Sequence, residues 1–190
     1  MKNSKNILWA VPLFSILFFT ACEKDDPDVP NEEELITTLI YTLTPDGGGN
    51  AVEFRFTDLD GDGGDAPVIS NGTLAANTTY TGVITLLNEA ETPAEDITEE
   101  VEEEDEEHQL FYQFSTFFTS GSFMYADADA NGNPIGLVTT FETPDSMSGL
   151  TLTITLRHEP EKEAVGVDLG LIDNAGGETD IEVTFDVTIQ

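Results

Sequence analysis

The chain has 190 residues, and its 38 aspartates and glutamates against six lysines and arginines give a formal charge of −32. A field of that sign repels nucleic acid and anionic lipid headgroups, which excludes both as partners, and attracts divalent cations and basic protein surfaces. The single cysteine excludes an internal disulfide, so stability must come from an apolar core or from bound metal.

Lys2 and Lys5 give the chain a positive start, and an apolar run from Ile7 to Phe19 is broken only by Pro12 and Ser15. Small residues, Thr20 and Ala21, then precede Cys22. This is the plan of a secretory signal peptide over residues 1–21, with an apolar stretch too short for a confident membrane span. The segment "FTAC" resembles a bacterial lipobox. The resemblance implies cleavage before Cys22 and acylation of its sulfur and new amino terminus, with several acyl chains giving stable anchoring. Loss of Lys2 and Lys5 with the signal takes the formal charge from −32 to −34.

Residues 22–34 then read as a lipidated acidic tether, because Pro27, Pro30 and dense acids disfavour a packed core. Within it, Lys24, Asp25 and Asp26 resemble the lipoprotein export signal of Bacteroidota. That resemblance implies display on the outer face of the outer membrane, with the periplasmic face as the alternative.

From residue 35 to 190 the pattern is that of one domain. Leu39, Tyr41 and Leu43 share one face of a run, and Val52, Phe54 and Phe56 stand opposite Glu53 and Arg55. The loop "DLDGDGGD" follows, with Asp58, Asp60, Asp62 and Asp65 around glycines. Aspartates at alternate positions about a glycine turn can wrap calcium, which takes six to eight oxygens. An EF-hand match fails, since Ile69 stands where the bidentate glutamate belongs. A hairpin loop with solvated acids is the competing reading.

Tyr80, Ile84 and Leu86 continue the alternation. The segment "TPAEDITEEVEEEDEEH" then predicts one acidic α-helix over about 93–107, with Thr92 as N-cap, Pro93 at the first helical position and Glu95 completing a capping box. Ile97 and Val101 form its narrow apolar stripe. Acids at 104–107 lie at the wrong end of the helix dipole, so that end is expected to fray.

Further strands are expected at 110–118, 122–127 and 135–141. Two more are cleanly alternating: Leu150, Leu152, Ile154 and Leu156 against threonines, and Ile181, Val183, Phe185, Val187 and Ile189 against Glu182, Thr184, Asp186 and Thr188. One apolar face per strand, turns such as "DANGNP" and "NAGGE", and no alternation with helices predict an all-β, antiparallel, immunoglobulin-like β-sandwich with one inserted helix. Lipobox, tether, sandwich and an acidic segment running into "HQLFYQF" together resemble small, acidic Bacteroidota outer-membrane lipoproteins of poorly characterised function. These are sometimes labelled type 1 periplasmic binding fold superfamily, a fold that this strand pattern does not follow.

His108 and His158 are the only histidines. If the helix persists, Glu100, Glu104 and His108 stack on one face at i, i+4 and i+8. If His158 meets them, imidazoles and carboxylates could hold zinc or another transition metal. Exposed histidines paired with neighbouring acids are the plainer reading. A bis-histidine haem site finds little positive charge for the propionates. "DADANGNP", with Asp127, Asp129 and Asn131, is a weaker calcium pattern that also reads as a turn.

No nucleophile-elbow, Ser–Lys or phosphate-loop pattern appears, so the expectation is no enzyme. Two readings of function stand. One is a non-enzymatic, surface-anchored binding or accessory module that works through protein contacts, such as a basic protein surface, or through a captured small ligand. The other is a divalent-metal binder built on the acidic helix and the two histidines, serving an outer-membrane receptor. A general acidic-surface adaptation explains the charge without either.

Overall fold

The computed structural model describes residues 35–61, 63–116 and 122–190. The expected signal peptide, Cys22, Lys24, Asp25, Asp26, the tether and Asp62 lie outside these residues, as do Phe117 and Phe118 of the expected strand at 110–118. In chain order the strands are β1 (Thr38–Pro45), β2 (Val52–Thr57), β3 (Val68–Ser70), β4 (Thr73–Leu74), β5 (Thr79–Asn88) and β6 (Glu95–Asp96). After the helix α1 (Ile97–Glu103) come β7 (His108–Phe114), β8 (Phe123–Tyr125), β9 (Val138–Glu142), β10 (Met147–His158) and β11 (Glu178–Ile189).

Two sheets form. One runs β3-β2-β1-β5-β9-β8 with β6 added on β5, and the other runs β4-β11-β10-β7. Pairing is antiparallel apart from the short β4–β11 ladder. The expected all-β sandwich with one inserted helix is what the chain forms.

The alternating residues explain the closure. Leu39, Tyr41, Leu43, Phe54, Ile84 and Leu86 from the first sheet are buried against Leu110, Leu152, Ile154, Leu156, Val183 and Phe185 from the second. Tyr41 meets Tyr112 at 5.5 Å between ring centroids, and Phe54 meets Phe185 edge-on at 5.7 Å, so each pair spans the two sheets. Fully burying each large apolar side chain is worth about 1.5–3 kcal/mol. Part of the threonine-rich opposite faces stays wet, as at Thr153 and Thr184, whose hydroxyls bond each other across β10 and β11, while Thr155 is buried.

The helix is shorter than the expected 93–107. Glu95 and Asp96 are extended and pair with Asn88 and Leu87, so Thr92 and Pro93 do not start it. Asp96 is the N-cap, its carboxylate accepting the Thr98 N–H at 3.0 Å. The local capping box loses because strand pairing with β5 holds the preceding backbone extended, a tertiary effect that overrides propensity. Ile97 and Val101 are buried as the stripe implied. The acidic C-terminal end does give way: the helix stops at Glu103, and Glu104 to Glu107 form a turn closed by Glu107 N–H on the Glu104 carbonyl.

From His108 to Tyr112, β7 is buried on both faces. Its outer side, Gln109 and Phe111, is covered by the segment between β10 and β11, where Val167 and Ala175 pack on Phe111 and Gln109 donates to the Val167 carbonyl. Lys162 on this segment reaches inward to the Asp129 carboxylate at 3.1 Å and the Pro134 carbonyl at 3.2 Å, and also donates to the Asp105 carbonyl. One buried ammonium thus ties the crossover, the loop before β9 and the turn after α1 together, and that turn leads straight into His108.

Candidate metal centre

His158 lies two residues beyond Leu156 on β10, and His108 two before Leu110 on β7, so strand alternation puts both on the core-facing side. Antiparallel pairing makes them direct cross-strand partners. Their rings are 4.4 Å apart between centroids and tilted by 47°, and both residues are buried, at 0% and 2% exposure.

A third residue completes the group. In the β10–β11 ladder Leu156 pairs with Ile181 but Arg157 pairs with Thr179, so Asp180 is an extra residue on β11. Regular alternation puts Asp180 outside with Glu182; a bulge re-aims a side chain. The Asp180 side chain has no exposed surface. Its Oδ2 stands 4.0 Å from His108 Nε2 and its Oδ1 3.9 Å from His158 Nδ1. One ligand atom from each of the three residues falls within 4.8 Å of the others.

The outer nitrogens face carbonyl and carboxylate. His108 Nδ1 is 3.2 Å from the Glu104 carbonyl and 3.9 Å from the Glu104 carboxylate. A carbonyl only accepts, so in the neutral tautomer that makes this bond Nδ1 carries the hydrogen and Nε2, on the Asp180 side, is the nitrogen that can bind a cation. His158 Nε2 is 3.9 Å from the Glu107 carboxylate. An imidazole held by its second nitrogen on a carbonyl is a usual support of a metal-bound histidine, and His108 has one in Glu104; Glu107, at 3.9 Å, is too far from His158 Nε2 to hold that ring by a hydrogen bond.

Geometry suits a small divalent ion. Tetrahedral zinc with bonds of about 2.0–2.1 Å sets neighbouring ligand atoms roughly 3.4 Å apart. The separations of 3.9 and 4.0 Å need only a small closure of the side chains. Two imidazoles with one carboxylate are borderline ligands, favouring zinc and its neighbours over oxygen-seeking calcium.

The other expected ligands fare differently. Glu104 approaches His108 from outside the helix, and the expected stack of Glu100, Glu104 and His108 does not exist as a helical face, because α1 ends at Glu103 and His108 opens β7. Glu100 meets Glu104 through its carbonyl, which accepts the Glu104 N–H. In the aspartate loop, Asp58 accepts the Gly61 N–H and Asp60 the Asp65 N–H, both at 2.9 Å. Asp58, Asp60 and Asp65 do not converge as ligands among the described residues. Asp127 accepts the N–H groups of Gly136 and Val138, while Asp129 accepts those of Asn131 and Asn133 and pairs with Lys162. These carboxylates shape a turn.

Asp180 was missed by sequence reasoning, and no local signal marks it, since its neighbours alternate regularly. Parity with Leu110 and Leu156 was the available signal that both histidines face the core. Among known proteins, the chain matches no family model, no curated protein and no solved structure.

Proposed function

We propose that this protein binds a divalent transition metal, zinc being the type case, through His108 Nε2, His158 Nδ1 and Asp180. It does so as a non-enzymatic lipoprotein anchored at the outer membrane through Cys22. The observation that carries the reading is the bulge that brings a buried carboxylate against two buried imidazoles. Two imidazoles and a carboxylate that converge in a low-dielectric site are a donor set for a shared cation, which offsets the cost of burying the carboxylate. The anchoring part rests on the lipobox resemblance at Thr20-Ala21-Cys22 and the Lys24-Asp25-Asp26 address, and the net charge of −32 favours attracting cations. Such a protein would hold or deliver metal at the cell surface, for instance to an outer-membrane receptor.

The competing reading is a proton in place of the metal, with an imidazolium–aspartate pair serving only the fold. Metal analysis and zinc titration of the soluble domain, wild type and Asp180→Asn, separate the two. Metal binding predicts near-stoichiometric zinc in the wild type, at least a hundredfold weaker binding in the variant, by analogy with supporting residues that alone cost 10–100-fold, and a metal-free variant as stable as wild type. A structural ion pair predicts little zinc and a metal-free variant destabilised by about 3–5 kcal/mol.

A further inference from the structure

The imidazole of His158 has two faces of use. Nδ1 looks inward to Asp180, while Nε2 looks outward to Glu107, and Glu107, His158 and Glu159 each offer a ligand atom within 4.8 Å of the others. His158 is 2% exposed, whereas the Glu107 side chain is 58% exposed, so the ring forms a wall between buried triad and solvent.

The two carboxylate residues are held side by side by the backbone. Glu159 N–H bonds the Glu107 carbonyl at 2.6 Å, and Glu159 takes a left-handed φ of 48°, a conformation uncommon for a residue of its size. The segment leading into β11 packs against this backbone: Gly177, at φ 68°, runs so close that a Cβ would overlap the His158 carbonyl oxygen.

We propose that Glu107, Glu159 and His158 Nε2 form an outer station through which a divalent transition metal enters and leaves the buried triad. This rests on the metal-binding reading of that triad. The exposed carboxylates capture the hydrated ion and shed part of its water, and His158 supplies the one nitrogen. The ion then passes around the ring edge to Nδ1, His108 and Asp180. A neutral imidazole has one lone pair, so His158 serves one station at a time, and the protein at equilibrium holds one ion rather than two.

A station on the path lowers the barrier from both sides and leaves the end states alone. Removing it must therefore slow loading and release equally without changing the dissociation constant. Merely supporting His158 by a hydrogen bond has the opposite signature, since losing such a partner weakens the equilibrium by about 10–100-fold.

The test is stopped-flow loading with Co2+ and Zn2+, and release into excess chelator, on the lipid-free domain. Glu107→Gln/Glu159→Gln is compared with Glu102→Gln/Glu103→Gln, which removes the same charge from exposed residues at the end of α1. A third variant, Asp58→Asn/Asp60→Asn, alters the hollow of about 540 Å³ that reaches Asp180 from the β2–β3 side. The expected result is loading and release each slowed about tenfold in the first variant, within the range of electrostatic effects on association. Its dissociation constant should stay within about twofold, at one ion per chain, with the other two variants near wild type. Equal slowing by Glu102→Gln/Glu103→Gln makes the effect a general field and overturns the station. Slowing by Asp58→Asn/Asp60→Asn alone moves the entrance to the hollow and also overturns it, as does a weakened equilibrium with unchanged rates. Those three outcomes leave the triad standing; a wild type that binds neither metal overturns the triad and the station together.

Discussion

His108 and His158 pair directly across neighbouring antiparallel strands, their ring centroids 4.4 Å apart at the buried end of the sandwich. Each turns one nitrogen toward the same aspartate and the other toward a glutamate residue of the turn after α1. Two histidines, one buried carboxylate and two outer glutamates therefore form a single electrostatic unit whose members come from three segments of chain.

Zinc should stabilise the domain measurably. An ion that binds only the folded state at a hundredfold excess over its dissociation constant adds about 2.7 kcal/mol. At roughly 2–4 °C per kcal/mol for a chain of this size, melting should rise by about 5–11 °C. His108→Ala or His158→Ala should abolish most of this rise, and the double variant should lose little more, because both act in one site. Calcium should not compete. Thermal scans with each ion and with chelator check all four statements.

Gly177→Ala tests whether the backbone at His158 is held by close approach. An alanine there meets both an unfavourable left-handed φ of 68° and the His158 carbonyl. Destabilisation above about 1 kcal/mol is expected, since Ala forced to positive φ costs more than the 0.4–1 kcal/mol such changes otherwise yield. Zinc affinity should fall with it. Urea unfolding and zinc titration of the variant suffice, and an unchanged midpoint would mean that the crossover shifts freely.

The Lys162–Asp129 pair should govern part of the acid limb of stability. Burial pushes the Asp129 carboxyl up, but the Asn133 N–H, Lys162 and the Asn131 N–H together outweigh it and hold the pKa below its ordinary value. A folded pKa below the unfolded one means stability that is present above the unfolded value of about 3.9 and is lost as pH falls through the lower folded value. Asp129→Asn should accordingly flatten the decline of stability below about pH 5. Lys162→Met leaves Asp129 buried without its counter-charge and should cost about 3–5 kcal/mol at neutral pH. Denaturant midpoints at several pH values read both.

Anchoring is tested in cells. Cys22→Ser should abolish lipid labelling and leave the precursor uncut between Ala21 and Cys22. Replacing Lys24, Asp25 and Asp26 with alanine should preserve lipidation yet hide the protein from protease added to intact cells. Equal proteolysis of both forms would reduce the segment to a tether.

Much of the architecture follows from the sequence alone. Alternation such as Ile181 to Ile189, or Leu150 to Leu156, assigns an apolar and a wet face to each strand, and apolar faces without intervening helices can only close on one another. The stripe of Ile97 and Val101, and the unfavourable acids after it, likewise foretold a helix that docks on one side and ends early. Tertiary structure decided the rest. Whether α1 begins at Thr92 or at Asp96 turned on the pairing of Glu95 and Asp96 with β5, a contact that no local cap can override. The meeting of His108 with His158 was set by the β7–β10 register, which depends on which strands become neighbours. Asp180 is the clearest case: strict alternation sends it outward with Glu182, and a single extra residue in the β11 ladder turns it inward. A period of two specifies faces only while the ladder is regular, so a bulge, which is a property of two strands together, is invisible in either strand alone.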